Sequence, residues 1–547
     1  MTRRRLRPAF ALGVALLLAA LPAAPRATQP AFYPDDPIVV DPETEDASGV
    51  RPWNLSDPYD FLEHTFLRPG DRSHRRALNV NTIDEVPDSS WYTNRGPLDA
   101  ATVVRGPNTT DGPAPGAWTI VSGKSDGITP GFTIRDTNGI IWFIKFDPPE
   151  HPEMATGAEI ISTKLFWALG YHVPENHLAT LHRDNLVIGE RAGIRNATGQ
   201  RRQISEADVD DLLAKAARRE DGTFRVIASR ALPGRPLGPF RYHGTRPDDP
   251  NDIFPQEHRR ELRGLRAFSA WLNHDDSRSI NTLDTLIERD GRRIVWHHLI
   301  DFGSTLGSAS VQAQKARAGN EYLWEARPTL LTALSLGLWV RPWIKVQYPA
   351  LPAVGRIEAS FFQPETWKPE YPNPAFDNAR PDDLFWAARR AVAIPDEVIA
   401  AVVRAAEFSN PAATQYLTDV IIARRDKIGL AWLPGVNPLV DFALDAQGTL
   451  TFRNAAADFE RATPAREYRV RWGRFDNHTR AVTWAGPAVT VPVPAAQAPV
   501  EILDAPFLQV EIAAVHERHP AWAVPVAVHF RRVPGGWQLV GVTRLPD

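Results

Sequence analysis

Three polar side chains in the second half of the sequence have the types and spacing needed for phosphoryl transfer. Asp276 and Asn281 lie five residues apart on a loop after a predicted helix, and Asp301 follows the next predicted strand pair. A hairpin between them would bring Asp301 back beside the loop. In such a set, one aspartate orients and deprotonates a hydroxyl. An asparagine and a second aspartate hold Mg²⁺ or Mn²⁺ against nucleotide phosphates.

A second group of residues, nearer the N-terminus, has the types that bind phosphates. Lys145 ends an apolar strand, and Glu159 on the following helix could supply the partner that a buried charge requires. A loop between the two preceding strands contains glycines, which let backbone N–H groups approach phosphate oxygens. The candidate binding residues of this loop are Gly123, Lys124, Ser125, Gly127 and Gly131.

These residues, taken in order, resemble the protein-kinase superfamily, whose catalytic loop precedes a hairpin and an Asp-Phe-Gly motif. Asp276 and Asn281 match the Asp-x4-Asn spacing, and Asp301-Phe302-Gly303 matches literally. The likeness covers roughly residues 111 to 430. It looks closer to the atypical branches, because Glu159 to Gly170, followed by Val173-Pro174, is similar to the helix and exit of HipA-type kinases and type II phosphatidylinositol kinases. In combining this site with an export signal, the sequence also resembles secreted kinases.

The resemblance implies a role for each residue. Asp276 would be the base or hydroxyl-orienting group, and Asn281 and Asp301 the metal ligands. Lys145 would clamp the phosphates, with Glu159 orienting it. The implied cofactors are ATP and Mg²⁺ or Mn²⁺, and the acceptor is a hydroxyl of a protein, lipid or sugar.

The resemblance also has gaps. Phe302 and the apolar strands are expected to line the adenine pocket. The loop 123–131 departs from the family pattern, because it is not G-x-G-x-x-G. No Ala-Pro-Glu follows Asp301, and Asp275 stands where the typical motif has arginine. We therefore expect no switch that depends on a phosphorylated activation loop.

Besides another transfer from ATP on the same fold, such as AMP transfer, two other functions remain open from the sequence. The first is a pseudokinase, a binding or scaffold protein that keeps the cleft without the chemistry. The second is a metal-dependent hydrolase, for which His297 and His298 are candidates, although a strand would point them to opposite faces, one in the core and one in solvent. The remaining hydrolase candidates are His274, Asp275, Asp276 and Asp301.

Composition limits the class of protein. The 547 residues are 43% hydrophobic and 23% charged, which is typical of a folded globular chain. The net charge of −3 offers no basic excess for a nucleic acid, so none is expected as a partner. The absence of cysteine excludes disulfides, thiolate metal sites and cysteine nucleophiles.

The first residues predict export. Arginines precede an apolar run from Ala9 to Leu21, and small residues follow it, as in a signal peptide spanning residues 1–27. The run is shorter than the ~20 residues of a spanning helix. We expect a periplasmic or extracellular protein with no membrane span after signal removal.

The order of predicted strands and helices around the site indicates an α+β chain, for which the kinase resemblance implies a two-lobed fold. A Pro-rich extension covers 28–110 and is expected to be an arm anchored by its aromatic side chains. The catalytic domain covers 111–435, and an all-β, sandwich-like domain, 436–547, could bind an envelope or extracellular partner. The predicted strands are 118–122, 132–135, 140–146, 282–287 and 293–299, and the predicted helices are 153–169, 256–272, 383–404 and 410–430.

Overall fold

The computed structural model describes residues 29–123, 131–195, 200–336, 338–460 and 465–545. In these residues the chain is a mixed α and β protein. The predicted signal peptide, residues 1–27, lies outside the described part. So do Lys124, Ser125 and Gly127 of the predicted phosphate loop.

Both strands and helices occur in the described residues up to 435, and strands dominate afterwards. The strands are β1 (Trp118–Gly123), β2 (Gly131–Arg135), β3 (Ile141–Phe146), β4 (Asn176–Leu181), β5 (Leu186–Arg195), β6 (Arg201–Gln203), β7 (Phe224–Arg230), β8 (Arg235–Gly238), β9 (Thr282–Arg289), β10 (Arg292–Leu299), β11 (Leu439–Leu444), β12 (Thr449–Asn454), β13 (Glu467–Phe475), β14 (Val482–Trp484), β15 (Val489–Val491), β16 (Ala495–Gln497), β17 (Phe507–Val515), β18 (Val526–Val533) and β19 (Gly536–Thr543). The helices are α1 (Asp57–Leu62), α2 (Ala100–Arg105), α3 (Met154–Ala168), α4 (Glu206–Leu213), α5 (Arg260–Leu272), α6 (Ala326–Leu334), α7 (Pro374–Asp377), α8 (Pro381–Val392), α9 (Asp396–Arg404), α10 (Pro411–Trp432) and α11 (Ala455–Glu460).

The first seven strands form one sheet, in the order β4-β7-β3-β2-β1-β5-β6. Strands β2 and β3 are antiparallel around the Asn138-Gly139 turn, as the sequence predicts. Their register places Gly131 opposite Lys145, and β7 pairs with the other edge of β3. Lys145 is therefore held by backbone hydrogen bonding on both sides of its strand.

Helix α3 packs on this sheet and is buried along almost its whole length. Its residues pack too closely for a larger side chain at Gly157, where a Cβ would lie 2.5 Å from the Phe408 ring. Gly170 follows the helix with a φ of 111°, the left-handed conformation that favours glycine. The predicted helix, 153–169, is confirmed within one residue at each end.

A three-stranded sheet, β10-β9-β8, joins the loop that holds Asp276 and Asn281 to the turn that begins at Asp301. Strands β9 and β10 form the predicted antiparallel hairpin around Asp290-Gly291. Helix α5 leads into the loop before β9, and its first predicted residues, 256–258, form a separate 3₁₀ turn. The helix ends at Asn273, which adopts a left-handed conformation with a φ of 50°.

The prediction of one helix over 383–404 is wrong. The structure has two helices there, α8 and α9, separated around Pro395. Proline has no N–H to donate and disfavours the α conformation of the residue before it, so the chain turns at this point.

The N-terminal extension lies against the body of the protein through much of its length. Trp91 and Tyr92 belong to the main hydrophobic core, and the Trp53 N–H donates to the carbonyl of Leu237 at 3.0 Å. The expectation of aromatic anchors fits Trp91 but not Phe66, which is 54% exposed.

The C-terminal strands form two sheets, β11-β12-β16 and one built on β14-β13-β17-β18-β19. Helix α11 interrupts them, so this part is not purely β as predicted. Its buried side chains are continuous with those of the helices before it. Among the described residues, no helix is long and apolar enough to cross a membrane.

Candidate functional site

Lys145 lies between two carboxylates that come from distant parts of the chain. Its Nζ is 2.9 Å from Asp301 Oδ1 and 3.5 Å from Glu159 Oε2. Burial acts to lower the pKa of Lys145, but the two carboxylates outweigh it and the pKa is raised. The lysine therefore stays charged, and the structure joins three residues that the sequence could place only on separate elements.

Glu159 projects from α3 into the gap between the helix and the Asp301 segment. Its Oε1 accepts hydrogen bonds of 3.2 Å from the Phe302 N–H and from Asn176 Nδ2. Burial raises the pKa of Glu159, and Lys145 opposes this rise. The carboxylate thus ties the lysine strand to the Asp-Phe-Gly segment, as an orienting group would.

Asp301 follows β10 in a left-handed conformation, with a φ of 61°. Its side chain is 38% exposed, in contrast to the buried Glu159. The next turn leaves little room, since a Cβ on Gly303 would lie 2.8 Å from Ser310 Oγ and 3.3 Å from Glu159 Oε2. The tight turn directs one carboxylate toward Lys145 while keeping it accessible.

The loop after α5 brings Asp276 and Asn281 next to the Asp301 segment. Asn281 Nδ2 donates to the Asp276 carbonyl at 2.7 Å, and the Ile300 N–H donates to the Asn281 carbonyl at 3.0 Å. Ile300, the donor of the second hydrogen bond, is the residue before Asp301. Asp276, Asn281 and Asp301 are therefore brought to the same place by the hairpin, as the spacing predicts.

The environment of Asp276 suits a proton acceptor. Burial raises its pKa to about 6, although the neighbouring Arg278 guanidinium acts to lower it. The neighbouring Asp275 is also buried, which raises its pKa well above the usual range, and it accepts a 2.6 Å hydrogen bond from Gln314 Nε2. A carboxylate with a pKa near neutrality can take a proton and release it at physiological pH.

Arg278 is a site residue that the sequence reasoning missed. It forms an ion pair with Asp276 and reaches Asp57 at 3.1 Å and Glu370 at 3.4 Å. Asp57 belongs to α1 in the N-terminal extension, so the extension contacts the loop after α5 directly. A basic residue two positions after Asp276 was the signal available in the sequence.

The structure corrects the role predicted for Phe302. Its ring is fully buried and stacks on Phe166 of α3, with ring centroids 5.0 Å apart. His274 packs against the same ring at 5.8 Å, and burial lowers the pKa of His274 to about 4, so the imidazole is neutral. Phe302 thus anchors the segment in the core and does not line the cleft.

The described ends of the predicted phosphate loop lie close to Lys145. Gly131 is its direct partner across the β2–β3 pair, and Gly123 faces Phe132 across the β1–β2 pair. A Cβ on Gly123 would lie 3.0 Å from the Ile194 side chain. Gly123 and Gly131 therefore lie at the same end of their strands as Lys145 does in β3.

The candidates for a metal hydrolase are not assembled. His297 Nδ1 donates to Asp284 at 2.7 Å, and its ring stacks on Trp91 at 3.5 Å. His298 donates to the Leu283 carbonyl, and both histidines are buried, so the prediction of one solvated histidine is wrong. Within the described ranges, no three His, Asp or Glu side chains are grouped to hold a metal ion.

The residues at the loop and turn fit a divalent cation that prefers oxygen. Asn281 uses its amide nitrogen on the Asp276 carbonyl, which leaves its carbonyl oxygen as the ligand atom. Asp301 is an accessible carboxylate beside it. Amide and carboxylate oxygens are the ligands of Mg²⁺ and Mn²⁺ in sites where substrate phosphates complete the coordination.

No protein-family model matches this sequence, and no curated protein matches it. Among solved structures, the chain is similar to a Helicobacter pylori proinflammatory kinase, CtkA, with 12% identity and a TM-score of 0.31 over 57% of this chain and 93% of that chain. It is similar to a Golgi casein kinase with 11% identity and a TM-score of 0.29, over 72% of this chain and 96% of that chain. The same kinase with Mn/ADP bound gives 12% and 0.28, over the same shares of the two chains. These neighbours are kinases, but likenesses this weak carry no argument about this chain.

Proposed function

We propose that this chain is an ATP-dependent phosphotransferase that transfers a phosphoryl group to a hydroxyl acceptor. The observation that carries the proposal is the position of Lys145 between Glu159 and Asp301. Asp276 and Asn281 are joined to the same segment through the Ile300 hydrogen bond. A structural ion pair would account for Lys145 and Glu159, but it gives no reason for an accessible aspartate at a strained turn beside them.

In the proposed reaction, Lys145 holds phosphate oxygens of ATP and Glu159 keeps its ammonium in place. Asn281 and Asp301 would hold the divalent cation, which supplies positive charge against the phosphates. The acceptor hydroxyl bonds to the γ-phosphorus, the bond from that phosphorus to the β–γ bridging oxygen breaks, and ADP leaves. The hydroxyl proton passes to the carboxylate of Asp276, whose pKa of about 6 suits this role.

Export remains part of the proposal and rests on the arginines and the apolar run at the N-terminus. An exported enzyme would meet ATP in a special compartment or in a host. The acceptor is a protein, lipid or sugar hydroxyl, and the C-terminal strands could bind an envelope or extracellular partner.

Thermal unfolding with and without ATP tests the nucleotide site. A ligand that binds only the folded chain raises the midpoint, with about 2.7 kcal/mol of stabilisation at 100 times the Kd. We expect a rise with ATP and Mg²⁺ or Mn²⁺ that Asp301→Asn loses. Asp290→Asn is the matched control, because Asp290 has an 87% exposed side chain at the hairpin turn. Equal shifts in wild type and Asp301→Asn would overturn the metal assignment.

Transfer is tested separately from binding. We expect Asp276→Asn to keep the ATP-dependent rise in the unfolding midpoint while losing ADP formation. No rise in the wild type with either metal would support the alternative of a non-catalytic binding protein. A rise without ADP formation, across protein, lipid and sugar acceptors, would support a pseudokinase.

A further inference from the structure

A long apolar stretch lies on the surface of the protein. Residues 328–340 carry no charged side chain, and α6, which begins this stretch, has no buried residue. Leu334, Leu336 and Leu338 are 81%, 92% and 85% exposed. Contiguous exposed apolar surface of this kind marks an interaction site in a soluble chain.

The N-terminal extension enlarges the same surface. Leu62 of α1 is exposed, as are Phe66 and Leu67 in the turn that follows it. The Phe66 ring contacts Trp324, just before α6, with centroids 5.2 Å apart. We call the combined set of exposed side chains on α1, the following turn, 323–336 and 338–344 the apolar face.

Hydrogen bonds to Glu321 fix the C-terminal end of the apolar face. Arg341 Nε and Trp343 Nε1 both donate to Glu321, each at 2.9 Å. The Arg341 guanidinium also lies 5.5 Å from the Trp339 ring. Aromatic and basic side chains at the edge of a leucine-rich surface are typical of proteins that sit at the boundary of a bilayer.

Positive charge borders the apolar face. Arg68 and Arg72 line a pocket of about 420 Å³ together with His74, and Asp377 is the acid in its wall. Arg327 and Lys345 flank the apolar stretch in the sequence. In the part of the chain that the structure describes, Arg327 and Lys345 take part in no ion pair, and Arg68 and Arg72 lie near the Asp377 carboxylate, whose pKa they act to lower.

We propose that the apolar face docks the protein on the surface of an anionic lipid bilayer. The leucines would enter the boundary of the acyl chains, and the bordering cations would face lipid phosphates, each contributing to attraction at a negative surface. Helix α6 has nine residues, about 14 Å at 1.5 Å per residue, so it lies in the interface and does not span the ~30 Å core. A protein partner would explain the leucines, whereas the flanking cations Arg327 and Lys345, together with Arg68 next to Leu67, favour an anionic surface.

Docking would place the bilayer close to the candidate catalytic loop. The Leu323 N–H at the edge of the face donates to the Glu370 carbonyl at 2.6 Å. The Glu370 carboxylate reaches Arg278, which pairs with Asp276. The inference does not require the proposed phosphotransferase, because docking can be measured without any reaction.

The lack of cysteine allows a local measurement on the full chain. Leu336→Cys, labelled with an environment-sensitive dye, reports from the most exposed leucine of the face. Val500→Cys is the control, because Val500 is an apolar residue, 78% exposed, in the short 3₁₀ turn between β16 and β17. With phosphatidylglycerol and phosphatidylcholine vesicles, we expect brighter and blue-shifted emission at 336 and unchanged emission at 500. No change at 336 would overturn the proposal. A change that higher protein concentration causes without vesicles would also overturn it, because it would indicate that a second copy of the chain covers the face.

A binding measurement gives an independent test. We expect Leu334→Ser, Leu336→Ser and Leu338→Ser together to weaken vesicle binding about 100-fold, because each removes a leucine from the apolar phase. The matched control replaces three exposed valines of the C-terminal region by serine. These valines are Val489, Val493 and Val500. The predicted signal segment is the same in both variants, so equal binding of the two would refute the docking surface.

Discussion

Replacing Arg278 by glutamine should move the acid limb of the pH–rate profile to higher pH. Asp276 must be ionised to accept the hydroxyl proton, so the rate is low below its pKa of about 6 and rises to a plateau above it. Arg278 favours the ionised form of Asp276 by direct ion pairing. Without this cation, burial dominates, and the carboxyl stays protonated to a higher pH.

The size of the shift follows from the contact. Both side chains are mostly buried, with 20% of Arg278 and 18% of Asp276 exposed. At an effective dielectric constant of about 20, charges ~4 Å apart interact by ~4 kcal/mol, and one pH unit corresponds to about 1.4 kcal/mol. Solvent screening reduces this interaction, so we expect an upward shift of about 1 to 2 units.

The assay is ADP formation from pH 5 to pH 9 at saturating ATP and metal. Arg278→Lys keeps the positive charge and should restore most of the wild-type midpoint. Arg289→Gln is the control, because Arg289 is a half-exposed arginine on the β9–β10 hairpin beside Asp290. An acid limb that stays near pH 6 in Arg278→Gln would refute the assignment of Asp276 as the base.

Two further predictions concern the stability of the core. Phe302→Ala should lower the free energy of unfolding by about 3 to 5 kcal/mol, because it leaves a cavity between Phe166 and His274; a loss below about 1 kcal/mol in urea titrations would contradict this anchoring role. Acid should destabilise the fold, because burial lowers the pKa of His274, His298 and His529 to about 4. Stability from the neutral imidazoles is full above the unfolded pKa of about 6.5 and is lost as the pH falls toward 4, on the order of 2 kcal/mol per histidine by pH 5. His529→Asn should flatten the difference in unfolding free energy between pH 7 and pH 5, and an unchanged difference would contradict the buried neutral state.

The local elements around the site could be predicted because their signals are short-range. The Asn138-Gly139 turn and the alternation on either side of it place Lys145 on a strand. The spacing of apolar residues places Glu159 on a helix, and the β9–β10 hairpin follows from its turn residues. Each of these depends on neighbours within a few positions, which a single sequence displays.

The errors arise where packing between distant residues decides the outcome. Phe302 lies in a motif that suggests a nucleotide pocket, but its ring fills the space under α3 beside Phe166. His297 and His298 are both buried because the extension brings Trp91 onto one face of β10 and other elements cover the second. The sequence contains no local sign of these contacts.

The sequence by itself determined the residue types and the order of a candidate phosphoryl-transfer site, since Asp276, Asn281 and Asp301 lie on one loop and one hairpin. Only the tertiary structure decided that Lys145 meets Asp301, across 156 residues, and that Asp57 of the extension meets Arg278, across 221. The physical reason is that hydrogen bonding and side-chain periodicity act over a few residues. Ion pairs between distant segments depend on how whole elements pack, and that packing buries them together.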